Sequence, residues 1–134
     1  MAKAWQLPTM ETHGRVATEH EEQCDFVRWA RQNYPEHRVF AVPNGGKRSP
    51  SEAMRLQAEG VTAGVPDLFF PSLLLWIEMK RPPKGKRGGG RGRVSADQGD
   101  WHSYLRDIGH RVVVCYTSLE AQCELSAMAS EVAA

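Results

Sequence analysis

The stretch PDLFFPSLLLWIEMK, Pro66 to Lys80, decides the fold. Asp67 to Phe70 and Leu73 to Lys80 are short, rich in aromatic and aliphatic residues, and joined through Pro71-Ser72. They read as two strands of an antiparallel hairpin. Pairing them brings Asp67 beside Glu78 although eleven positions separate the two along the chain. Alternation along a strand puts Glu78 and Lys80 on one face, with Ile77 and Met79 on the other, where an apolar layer takes them.

Working outward, Arg38 to Val42 reads as a first strand, stopped by the turn signal Pro43-Asn44-Gly45-Gly46. Ser51 to Glu59 reads as a short helix capped by Ser49 or Ser51, with Pro50 near its start and Gly60 just past its end. Before them, Gln23, Phe26, Val27 and Ala30 recur at helical spacing between Thr18, a candidate N-cap, and Asn33, ahead of Tyr34-Pro35. After them, Ser95 caps a helix to about Ile108 that ends at Gly109. Arg111 to Tyr116 follows as a last strand, and its apolar run Val112 to Cys115 predicts a central place covered on both sides. Ser118 to about Glu131 closes the chain as a helix. The order predicts an α/β sandwich: a mixed four-stranded sheet flanked by helices, with the hairpin antiparallel and the last strand reached by a helical crossover.

Length and composition set the frame. With 134 residues, 41% hydrophobic and 25% charged, the chain fits one domain over 18–134, preceded by an arm at 1–17 without sustained periodicity. No apolar run approaches the roughly 20 residues that cross a bilayer, and the first residues lack the apolar stretch of a signal peptide. Cys24, Cys115 and Cys123 are odd in number and lack CxxC spacing, which argues against a disulfide framework or a cysteine zinc site and suits a reducing cytoplasm. His13, His20, His37, His102 and His110 are dispersed without paired spacing, so surface or structural roles are expected. Trp29, Trp76 and Trp101 lie in periodic segments and are expected in the core, while Trp5 in the arm is the candidate exposed stacking group.

Charge is segregated. The stretch RPPKGKRGGGRGR, 81–93, holds six basic residues, five glycines and no acid; against a net charge of +1, the rest of the chain sums to −5. Such a segment builds no packed element of its own. Its Arg81, Lys84, Lys86, Arg87, Arg91 and Arg93, together with Lys47 and Arg48 after the glycine turn, suit a phosphate backbone without sequence readout. A merely solubilising loop is the rival reading.

The carboxylates at the hairpin end carry the chemistry. Hard oxygens from Asp67 and Glu78, with a backbone carbonyl near Met79, suit a magnesium ion, and Lys80 is placed to orient or deprotonate water for hydrolysis of a phosphodiester. Glu19, on the stripe that continues through Phe26, is the candidate third acid, and Glu22 is its rival. A solvated hairpin rim is the bland alternative, but charged residues at the ends of apolar strands need a reason.

Five ordered segments, EHEEQ (19–23), VPNGGKRS (42–49), AEGVTAGVPDLFFP (58–71), WIEMKRP (76–82) and RVSADQGDWHSYL (93–105), closely resemble the VRR-NUC domain, the virus-type replication and repair nuclease. The likeness runs from Glu19 to about Tyr116 and is nearer to the small stand-alone proteins of phages and bacteria than to the large Fanconi-anaemia-associated nuclease. It implies the PD-(D/E)xK superfamily with its restriction-endonuclease-like core, and Mg²⁺- or Mn²⁺-dependent, structure-selective cleavage of DNA. The expected setting is the cytoplasm of a bacterium or phage-infected cell. The family's helical glutamate maps to Glu19, its aspartate to Asp67, its Glu-x-Lys to Glu78 and Lys80, and its later glutamine to Gln98. Similar stand-alone members are homodimers that cut four-way (Holliday) junctions. The chain departs from the family in the link between the KRP-like and RVS-like segments, which is longer and more basic here. The alternatives are a DNA-binding module of the same fold without turnover, and a flap-cutting or sequence-specific endonuclease.

Overall fold

Among the described residues, each α-helix starts on a side chain that caps it. The computed structural model describes residues 16–43, 48–81 and 93–134. Helix α1, Glu19–Asn33, opens with a capping box: the Thr18 hydroxyl accepts from the Glu21 N–H at 3.1 Å, and the Glu21 carboxylate accepts from the Thr18 N–H at 3.1 Å. Strand β1, Phe40–Ala41, is followed by α2, Pro50–Ala58, with Ser49 as its cap and Pro50 in its first turn. Strand β2, Leu68–Phe70, leads through a 3₁₀ turn at Pro71–Leu73 into β3, Leu75–Met79. Helix α3, Ala96–Asp107, starts on Ser95; β4, Arg111–Cys115, and α4, Ser118–Ala133, complete the order.

The sheet runs β1-β2-β3-β4; the first three strands pair antiparallel and β4 lies parallel to β3, reached through α3. The expected mixed four-stranded sheet flanked by helices is what the structure has. On one face, Leu68, Phe70, Leu75, Ile77, Met79 and Cys115 pack against Phe26 and Ala30 of α1 and Ala121 and Leu125 of α4. Phe26 meets Phe70 edge-on at 6.0 Å, and each such fully buried side chain contributes about 1.5–3 kcal/mol. The Tyr34 hydroxyl, donating to Ser126 Oγ at 3.1 Å, pins the end of α1 to α4. The other face carries Phe69, Trp76 and Val112 in cross-strand register, and there α3 covers β4 and buries its own Leu105.

Several expectations are corrected. Strand β4 is not central but at the edge of the sheet; its apolar run reflects helices on both of its faces, α3 and α4, rather than strands on both sides. The hairpin link is longer than Pro71-Ser72. Pro71 begins a turn that sends Leu73 into the core and holds Leu74 in the left-handed region at φ 47, so β3 starts at Leu75, not Leu73. The first strand keeps only two of its five expected residues. Trp76 and Trp101 lie outside the core cluster, half-buried, and only Trp29 packs against it. Of the expected arm at 1–17, residues 1–15 lie outside the described residues, and Ala17 is buried just before the cap of α1. Among the described residues no helix is long and apolar enough to cross a membrane.

Candidate functional site

The hairpin register does for the two acids what alternation demands. Leu68 pairs with Ile77, so Asp67, one step before β2, stands across from Glu78 on the same face. Two backbone bonds fix Asp67: its carbonyl accepts from the Val42 N–H at 2.7 Å, and its carboxylate Oδ2 accepts from the Met79 N–H at 2.8 Å. Met79 thus serves the site through its backbone, while its side chain is fully buried in the core.

Glu78 is 2% exposed. Its Oε1 accepts from Gln98 Nε2 at 2.7 Å and lies 3.6 Å from Lys80 Nζ. Its Oε2 is buried without a partner among the described residues, a position that ordinarily costs stability unless another group arrives. Lys80 is anchored at its backbone by an N–H bond to the Cys115 carbonyl at 2.9 Å, and its ammonium donates to Gln98 Oε1 at 2.5 Å.

Gln98 holds this arrangement together. It is the third residue of α3 and the second half of a capping box: Ser95 Oγ accepts from the Gln98 N–H at 3.2 Å, and Gln98 Oε1 accepts from the Ser95 N–H at 2.9 Å. Because Oε1 faces two donors, Ser95 N–H and Lys80, the amide nitrogen is left to donate to Glu78. The helix start is itself seated by Gly64. At φ 94, a conformation that disfavours any side chain, its backbone passes so close to Asp97 that a Cβ would lie 2.6 Å from the Asp97 carbonyl carbon and oxygen.

The electrostatics are those of crowded acids. Burial, then the neighbouring Asp67 and Glu19 carboxyls, push the Glu78 carboxyl up to about 8, against the pull of the Lys80 ammonium and the Asp67 backbone N–H. Asp67 is raised by burial, against the Met79 N–H and Lys80. Glu19, at the head of α1, is raised by partial desolvation and then by Asp67, with Lys80 opposing. Glu19 itself is exposed, and the acid pair reaches it only through these longer-range charges. Glu22, the rival, is engaged elsewhere: it accepts from the Ser118 N–H at 2.7 Å and ties α1 to the start of α4. Among the described residues, no three His, Cys, Asp or Glu side chains already stand together closely enough to hold a metal ion, so Glu19 is near the pair rather than part of it.

Of the expected phosphate-binding residues, Lys47, Lys84, Lys86, Arg87 and Arg91 lie outside the described residues. Arg81 and Arg93 are exposed, one just after the site lysine and the other just before α3, and Arg48 donates to the Pro43 carbonyl at 3.3 Å. One residue close to the site escaped sequence reasoning. His102, one helical turn after Gln98, is 3% exposed, with its Nε2 unpartnered among the described residues. Burial first, then Arg106 and Lys80, hold its pKa below the usual histidine value, which favours the neutral ring. The four-residue spacing from Gln98 was the available signal.

Chemically, Asp67 and Glu78 offer hard oxygens in a site short of positive charge. A divalent cation between them would satisfy Glu78 Oε2 and offset the burial that raises both carboxyls and the repulsion that Glu78 feels from Asp67, so the donor set fits Mg²⁺ or Mn²⁺. Compared with protein-family models, curated proteins and solved structures, the chain matches none.

Proposed function

We propose that the chain is a Mg²⁺- or Mn²⁺-dependent DNA endonuclease of the virus-type replication and repair kind, built on a restriction-endonuclease-like core. The observation that carries this reading is the buried Glu78 carboxylate, across from Asp67, with one oxygen lacking a partner and the other shared between Gln98 and Lys80. Asp67 and Glu78 would hold the cation, with the Met79 carbonyl and Glu19 as further oxygen donors. The bound ion offsets charge growing on a phosphoryl oxygen and lowers the pKa of water beside it. Lys80 positions the attacking water through its ammonium, and Gln98 keeps that ammonium from swinging away by accepting from it while donating to Glu78. Holding the cation would require Glu78 to be ionised, so binding would strengthen as pH rises to about 8 and level off above it.

Arg81, Arg93 and the basic residues between them follow directly on Lys80 along the chain, and that charge supports a phosphate-backbone partner. If about six phosphates are neutralised, affinity falls roughly a thousandfold or more between about 50 and 200 mM salt. A homodimer presents two sites at a fixed spacing, which suits paired cuts in a four-way junction.

The test is a substrate panel of four-way junction, flap and plain duplex with Mg²⁺ or Mn²⁺, run beside a mass measurement in solution. Cleavage of the junction by a dimeric wild type, lost in Lys80→Ala, is expected. Equal cleavage by wild type and Lys80→Ala rejects the assignment. Salt-sensitive DNA binding without cleavage in any divalent metal makes the chain a binding module instead.

A further inference from the structure

The face of the sheet that bears Asp67 and Glu78 continues, two residues along each strand, into a row of rings. Phe69 lies over Trp76, with centroids 4.1 Å apart and planes 26° apart. Trp76 Nε1 donates to His110 Nδ1 at 2.8 Å, and the two rings are nearly coplanar at 18°. Phe69 also overlies His110, with planes 10° apart. Phe40, on β1, closes the row by standing edge-on to Phe69 at 5.8 Å, and it is 51% exposed.

Nothing in the core requires this row: it lies on the opposite face from the cluster around Phe26 and Phe70, and α3 shelters the β4 side while β1 stays open. The lock between Trp76 and His110 keeps the underlying plane rigid, so the outermost ring has little freedom to collapse inward. Charge flanks it. Arg38 is exposed two residues before Phe40, and the Arg48 guanidinium sits on the Pro43 carbonyl just past β1. A rigid aromatic surface framed by guanidinium groups accepts a nucleobase face and its phosphates. The rung of Phe69 and Trp76 is about 7 Å from that of Asp67 and Glu78, about two stacked steps of a nucleic-acid strand.

We propose that this row is a stacking site for an unpaired base of a strand whose phosphate would lie at the cation site of Asp67 and Glu78, with Phe40, on the outermost strand, as the contact ring. Bases paired in a duplex have both faces occupied, so the site selects strands with an unstacked nucleotide, as at a flap or another single-stranded segment. The proposal rests on the nucleic-acid part of the function proposed above, and not on turnover.

The test reads binding without cleavage. Anisotropy of a labelled short oligo(dT), and of a labelled blunt duplex, is titrated in EDTA with wild type, Phe40→Ala and Phe40→Tyr, each checked for mass in solution. Phe40→Ala is expected to raise Kd for oligo(dT) by about 5- to 150-fold, with little change for the duplex, and Phe40→Tyr is expected to bind as wild type. Any of four results overturns the proposal: no binding of oligo(dT) by wild type, an unchanged Kd in Phe40→Ala, equal weakening on both probes, or a change of oligomeric state in Phe40→Ala, which would make the row an interface between copies. Loss of cleavage in Lys80→Ala is independent of all four, so failure of the nuclease reading is told apart from failure of this one.

Discussion

Replacing Glu78 with glutamine should stabilise the metal-free protein above neutral pH. Glutamine keeps an oxygen to accept from Gln98 Nε2 and removes the charge that the buried position resists. With the carboxyl raised from an ordinary 4.5 to about 8, the folded state holds a proton that the unfolded state has lost throughout that interval. The folded state binds more protons, so stability is fully present below pH 4.5 and drains away as pH rises to about 8. At about 1.4 kcal/mol per pH unit, the whole interval is worth on the order of 3–5 kcal/mol, a large part of the 5–15 kcal/mol typical of a domain. His102 works in the opposite direction, losing stability as pH falls below about 6.5, so the clean window begins there. From pH 6.5 to 8, Glu78 alone should remove about 2 kcal/mol from the wild type. Asp67 and Glu19, raised in the same direction, are present in both proteins, so the difference between the two profiles isolates Glu78. Urea denaturation followed by tryptophan fluorescence in EDTA reads the effect. The Glu78→Gln protein should gain on wild type by about 2 kcal/mol across the window. A flat wild-type profile, or an equal slope in both proteins, would refute the reasoning.

Other perturbations probe the frame around the acids. Gly64→Ala forces a side chain into the Asp97 backbone at 2.6 Å from a left-handed position; a loss of about 1–3 kcal/mol in denaturation should accompany weakened cleavage, because Gln98 rides on the displaced turn. Gln98→Ala removes half of a capping box and the acceptor of Lys80, and should cost about 1–2 kcal/mol while lowering the rate more than it weakens DNA binding. Leu74→Gly relieves a left-handed residue that is 45% exposed and should raise stability by up to about 1 kcal/mol, read as a higher melting temperature with unchanged cleavage. Phe26→Ala, which empties the centre of the core, should cost about 3–5 kcal/mol.

What the chain discloses before folding is whatever depends on near neighbours. The pairing of Asp67 with Glu78 was legible because a hairpin is local and its parity follows from alternation; the link of Pro71 to Leu74 shifted where β3 begins without flipping the acids to the other face. The place of β4 was not legible, since an apolar run reports that both faces are covered and is silent on whether strands or helices do the covering. The engagement of Glu22 was not legible either, since it rests on α4, nearly a hundred residues away, whose Ser118 N–H donates to it. Gln98 was marked only by family likeness. Its physical role, at once helix cap and clamp on Lys80 and Glu78, depends on how α3 docks, as do the burial of His102 and the approach of Gly64. Trp76 shares the parity of Glu78, so alternation along β3 puts it opposite the core face of Ile77 and Met79 and in the ring row.

Crystals soaked in Mn²⁺ and measured at an anomalous wavelength test the central claim most directly. The account requires a peak within bonding distance of both the Asp67 and Glu78 carboxylates, absent in crystals of Glu78→Gln. Saturating Mn²⁺ that leaves Glu78 Oε2 without a partner, or that gathers only elsewhere on the molecule, would contradict it.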